Sequence, residues 1–160
     1  MKKHALLSLL LLCACALLPS AGVAADYASA NEVNTRLLRV WASEEYGCSI
    51  DKDGDLIVKK KSEKLVVSVI SKVHLIRVAG YFKRYDKLSI SEMIRLANKF
   101  NNKKRVLRVS IDPDDGNIIC DYYLIYDGGL NKANFLSVLD WVFGLKDSWE
   151  NFVINVGKED

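Results

Sequence analysis

Three observations predict an α+β domain on an antiparallel sheet, with elements in the order α-β-β-β-β-α-β-β-α. Three stretches carry apolar residues at three- and four-residue steps, the period of a helix with one buried face. Runs rich in β-branched and aromatic residues come in pairs joined by short acidic turns with a glycine, which is hairpin chemistry. No repeat or low-complexity linker separates these elements. Hairpins, instead of strands alternating with helices, exclude a parallel βαβ arrangement.

The first helix is expected from Ser29, three residues before Glu32 in capping-box spacing, and it carries Val33, Leu37, Leu38, Val40 and Trp41 to an end near Tyr46-Gly47. Cys48 to Ile50, the turn Asp51 to Gly54 and Asp55 to Lys59 read as a hairpin. Leu65 to Ile70 and Leu75 to Phe82 are two further strands, linked to the hairpin by the charged run Lys59 to Lys64. Ser89 and Glu92 repeat the capping box and open a second helix with Ile90, Met93, Ile94, Ala97 and Phe100 on one face. Leu107 to Ile111 alternates as a half-buried strand. The turn Asp112 to Asn117 returns the chain as the strand Ile118 to Tyr126. Asn131 is a plausible N-cap for a long last helix through Phe152.

The first 25 residues read as a secretory leader: Lys2, Lys3 and His4, an apolar run from Ala5 to Leu18, Pro19, then Val23-Ala24-Ala25 before Asp26. About 14 apolar residues span only about 21 Å as helix, short of a ~30 Å hydrocarbon core, so no membrane span remains after cleavage behind Ala25. A rival processing site is Leu12-Cys13-Ala14-Cys15, which would make a lipoprotein anchored at Cys15. Either way the protein is expected to be periplasmic or secreted, and residues 26–160 form one domain. The whole chain has 160 residues, 50% of them apolar, and a net charge of +3. Removing Lys2 and Lys3 lowers that charge to +1, and so near-neutral a domain is not expected to bind nucleic acid.

Cleavage behind Ala25 removes Cys13 and Cys15 and leaves Cys48 and Cys120, an even pair for which an oxidising compartment allows a disulfide. The alternative is that both are small buried hydrophobes in strands.

The stretch from Leu88 to Phe143 resembles the YbjN-domain family. The residues that carry the resemblance are Leu88 to Glu92 at the head of the middle helix, Asn98 to Asn101 with Arg105 after it, the Asp112 to Gly116 turn, Tyr122 to Tyr126, and Gly128-Gly129 before the last helix. Asp51 to Asp55 and Gly80-Tyr81-Phe82 extend the likeness over most of Asn31 to Phe152. It implies a fold similar to class I type III secretion chaperones. It also implies a small binding module, described as a sensory-transduction or stress regulator, with no established catalytic site.

The residues agree with a non-enzyme that uses no cofactor and no metal. His74 is the only histidine after the leader and falls in an apolar strand. No nucleophile elbow or phosphate loop occurs. Asp51, Asp53 and Asp55 have the 1, 3, 5 spacing of a calcium loop, but glycine stands fourth and Ser62 twelfth, so a hairpin turn is expected. Lys59 to Lys61 and Lys103 to Arg105 read as solvated element ends.

The last helix is the strongest sign of binding, because it is apolar on two sides. Phe135, Leu139, Val142 and Phe143 form a stripe for the sheet, while Val138, Trp141, Leu145, Trp149 and Phe152 form a second. The first helix, a second copy of the chain in a homodimer, or a foreign partner could cover that second stripe. The expected function is protein or peptide capture through a hydrophobic groove or a strand edge. The alternatives are a periplasmic inhibitor or immunity-type protein, and an envelope enzyme built on carboxylates.

Overall fold

A computed structural model describes residues 26–104 and 107–156. The leader with Cys15, and Arg105, lie outside the described residues. The predicted element order is met, with one addition. A two-residue strand β1 (Tyr27–Ala28) pairs antiparallel with another, β8 (Leu130–Asn131), and straps the start of the domain to the head of the last helix. Between them run α1 (Thr35–Ala42), β2 (Gly47–Ile50), β3 (Leu56–Lys60), β4 (Glu63–Ile70), β5 (Leu75–Phe82), α2 (Ile90–Lys103), β6 (Arg108–Ile111) and β7 (Ile118–Ile125), and α3 (Lys132–Val156) follows. The strap needs Gly129, whose φ is +100° and whose Cβ would meet the Ala28 carbonyl at 2.6 Å.

Two boundaries of the first helix differ from the sequence reading. The Ser29 and Glu32 contacts do form, with Ser29 N and Oγ donating to Glu32 Oε2 at 2.8 and 2.6 Å, but they close a turn ahead of the helix. The strap holds Tyr27 and Ala28 extended, so the helix starts later, where Asn34 Oδ1 accepts from Leu37 N at 3.0 Å. It ends at Ala42, where Ser43 folds back onto the Arg39 carbonyl through its own N–H and hydroxyl. Asn131 caps α3 as expected, accepting from Ala133 N at 2.9 Å while its backbone pairs in β8.

The capping box of α2 is complete, since Ser89 N and Oγ donate to Glu92 Oε2 while Glu92 N donates to Ser89 Oγ. The Ser89 hydroxyl, then its N–H, hold the Glu92 carboxyl below the usual value. That contribution is present above the unfolded carboxyl pKa of about 4.3 and is lost as the pH falls through the lowered value. Ser89→Ala is expected to cost about 1 kcal/mol. Urea titrations at neutral and acid pH should show the difference from wild type shrinking on acidification.

The six-stranded sheet is antiparallel throughout, in the order β2-β3-β4-β5-β7-β6. The first four strands form a meander, then α2 carries the chain to the far edge and β7 returns inside β6. All three helices lie on one face, over two cores that share α3. Leu38 and Trp41 of α1 meet Phe135, Leu139 and Val142 of α3 over β3 to β5. Met93, Leu96 and Phe100 of α2 meet Leu145 and Trp149 over β6 and β7. This explains why α3 is apolar on two sides: its first half faces one core and its second half the other. Gly80 sits beneath this layer, where a Cβ would lie 2.9 Å from the Phe82 ring and 3.2 Å from Leu65.

The disulfide allowed by the sequence is not formed. Cys48 is on edge strand β2 and Cys120 on β7, with three strands between, so four steps of about 4.8 Å separate them by roughly 19 Å. A bridge requires Cα atoms within ~7 Å. Burial pushes the Cys120 thiol up to about 12 and raises Cys48 less. At about pH 8 the folded domain should therefore leave Cys120 unmodified by a thiol reagent, whereas guanidinium should expose both thiols to titration.

Candidate binding face of the sheet

Among the described residues no layer covers the face of the sheet opposite the helices, and strand register orders its side chains into rows. Ile70, Leu75 and Ile125 stand side by side at one end. Ser68, Arg77 and Tyr123 form the next row. Ser49, Ile57, Val66, Ala79, Asp121 and Arg108 cross all six strands in the third. Tyr81, Ile119 and Ser110 lie beyond it, flanked by Lys59 and Lys64. Ile57 and Ala79 are buried but belong to neither core. Ile125 is 67% exposed and Tyr81 49%, so the outer rows meet solvent.

A charged pair organises the centre. Arg77 Nε and Nη2 donate to Asp121 Oδ2 at 3.1 and 3.0 Å. Its Nη1 donates to the Tyr81 hydroxyl at 3.1 Å, with the guanidinium carbon 5.9 Å from the Tyr81 ring centre. Asp121 is 3% exposed, and among the described residues its Oδ1 has no hydrogen-bond partner. Such a pair contributes little net stability but strongly resists the loss of one partner.

The two free edges of the sheet differ. On β6, Asn101 of α2 donates through Nδ2 to the Val109 carbonyl at 2.8 Å and accepts from Val109 N at 2.9 Å, so a side-chain amide occupies the place of a further strand. No described backbone group bonds to the outer edge of β2.

The second stripe of the last helix is not a surface. Val138 is buried in the first core, while Leu145 and Trp149 are buried in the second and Phe152 is half-buried 5.3 Å from the Phe100 ring. Trp149 is 1% exposed and meets Phe100 edge-on at 5.5 Å. The expectation that these residues jointly await a partner is therefore corrected. The cover comes mainly from α2, at a site where the sequence reading considered only α1 within the monomer. Trp141 alone stays outside, 53% exposed and edge-on to Tyr122 at 6.4 Å.

His74 also differs from its reading. It ends a 3-10 turn, Ser71–Val73, with φ +45°, ahead of β5. Its Nδ1 lies 2.9 Å from Asp127 Oδ1 and its carbonyl accepts from Tyr126 N, a structural link between two strand ends. The acidic turns are occupied by their own backbone: Asp51 Oδ1 accepts from Asp53 N and Asp55 N, each at 3.0 Å. Among the described residues no three His, Cys, Asp or Glu side chains are placed to hold a metal, and no helix is long and apolar enough to cross a membrane. Asp140, Glu63 and Asp147 line one cleft of about 380 Å³ on the helix side. There Lys60 Nζ, 2.7 Å from Asp140, holds that carboxyl below its usual range, and Lys146 pairs with Glu63 at 3.2 Å. Asp140 thus stays ionised at neutral pH and has no proton to give.

Residues 33–154 match the model of the YbjN family, described as “Putative bacterial sensory transduction regulator”. The chain belongs to the YbjN family. The crystal structure of YbjN from E. coli, a “putative transcription regulator”, is similar over 79% of this chain and 94% of that one, at 8% identity and TM-score 0.59. The chaperone–effector complex HopA1-SchA matches over 72% of this chain and 91% of the other, at 11% identity and TM-score 0.56. The ExsC-ExsE complex matches over 73% and 90%, at 15% identity and TM-score 0.56. At these identities the likeness shows the fold, so the YbjN domain here has the type III secretion chaperone-like architecture. No curated protein matches the chain in sequence.

Arg77, Tyr81, Asp121 and Tyr123 escaped the sequence reading. Their one signal is a charged residue inside each of two apolar strands, at spacings that put the tyrosines on the same face. Only the register shows that the two charges meet.

Proposed function

We propose that the protein is an exported, non-catalytic module of the YbjN type that binds a protein or peptide, in a regulatory or chaperone-like role. The helix-free sheet face carries this reading, because Ile70, Tyr81, Tyr123 and Ile125 stand exposed together on one rigid surface. Two structures of like fold were solved as complexes, the chaperone–effector complex HopA1-SchA and the ExsC-ExsE complex, and this supports the reading. Export rests on the leader, with cleavage behind Ala25; intact mass of the envelope-fraction protein tests it. A chain retaining residues 1–25 would refute cleavage, and a diacylated species starting at Cys15 would replace it with lipoprotein processing.

The binding reading is tested by placing a photo-crosslinking amino acid at Tyr123 or Ile125, and at Val40 of α1 as an exposed control. A heterologous adduct from the sheet positions and none from Val40 is expected in cells. Equal labelling from all three positions, or none, would overturn the assignment to this face. One dominant, stoichiometric partner would favour the inhibitor or immunity-type role over a chaperone-like one.

A further inference from the structure

The charges on the bare face narrow the kind of partner it fits, given the binding role proposed above. Strands β3 and β4 alternate in what they offer their two sides. Lys60 and Glu63 point to the helices and each finds an opposite charge on α3, Asp140 and Lys146. Lys59 and Lys64 point the other way, and no described carboxylate lies within ion-pair distance of either. Arg108, across the sheet on β6, is exposed and equally without an ion pair among the described residues. It stands opposite Asp121, whose Oδ2 is engaged by Arg77. The face therefore presents Lys59, Lys64, Arg77 and Arg108 against Asp121, with Asp55 at its margin bonded to Ser68.

We propose that this face takes an acidic polypeptide segment with apolar side chains. From Lys64 to the Ile70 row is six residues along β4, or about 20 Å at ~3.3 Å per residue. An extended segment of about six residues spans it, its carboxylates on Lys59, Lys64 and Arg108 and its apolar side chains on Tyr123, Leu75 and Ile125. A second copy of this chain would bring an equally cationic face and be repelled.

The test is selection of a random dodecapeptide library on the full-length protein, followed by fluorescence anisotropy with the selected peptides. Enriched peptides should combine at least two Asp or Glu with apolar residues. Their affinity should fall at least about tenfold in Lys64→Glu and in Arg108→Glu, and should fall as salt rises. Both side chains are exposed, and circular dichroism checks that the fold is kept. Peptides without acidic enrichment that are still lost in Ile125→Asp would overturn the acidic partner while leaving the face a binding site. Peptides indifferent to all three variants would overturn both readings. Tighter binding of an oligothymidine 12-mer than of any peptide, or self-association abolished by Arg108→Glu, would likewise overturn the acidic partner.

Discussion

Trp149→Asp is expected to unfold the domain, whereas Trp141→Asp should leave its stability within about 1 kcal/mol of wild type. Trp149 is closed in by Phe100, Phe152, Leu145 and Met93. Truncating such a ring to alanine costs about 3–5 kcal/mol, and aspartate adds an uncompensated buried charge. Set against a total stability of about 5–15 kcal/mol, the combined loss empties the native state. Trp141, over half exposed, has little to lose beyond its edge contact with Tyr122. Urea titrations of Trp149→Ala, Trp149→Asp and Trp141→Asp decide it. A folded Trp149→Asp with a shifted oligomeric state would restore α3 as an interface and refute the packing described above.

Arg77→Met is expected to destabilise by about 3 kcal/mol, the lower end for a broken buried pair, because the Arg77 side chain is itself partly exposed. The cost arises at Asp121, which keeps a buried carboxylate with neither oxygen partnered. Replacing both, as Arg77→Met with Asp121→Leu, should recover most of the loss, since the desolvation penalty goes with the charge. A double-mutant cycle read by urea titration measures the coupling. Additive single losses would mean that the pair is not coupled and that the face is not organised by it.

How far the sequence could be read follows from the range of each interaction. The capping box of α2 and the acidic hairpins were legible because their partners lie two to four residues apart. Strand faces were legible from alternation, as with Val109 and Ile111 against Arg108 and Ser110. The order of strands was not, because α2 carries the chain to the far edge before β7 returns, and no local signal announces that. The Cys48 and Cys120 pairing failed on this point, and Arg77 with Asp121 was missed for the same reason. The two stripes of α3 were visible as a pattern, but the pattern does not say which helix lies on the second.

The sharing of α3 by both cores bears on when this chain can fold at all. The residues that tie the other helices into each core, Phe135 to Phe143 for one and Leu145 to Trp149 for the other, lie in α3, which follows every other described element of the domain. Until that helix emerges, α1 and α2 rest on a sheet with no layer between them, and the nascent chain holds no complete core.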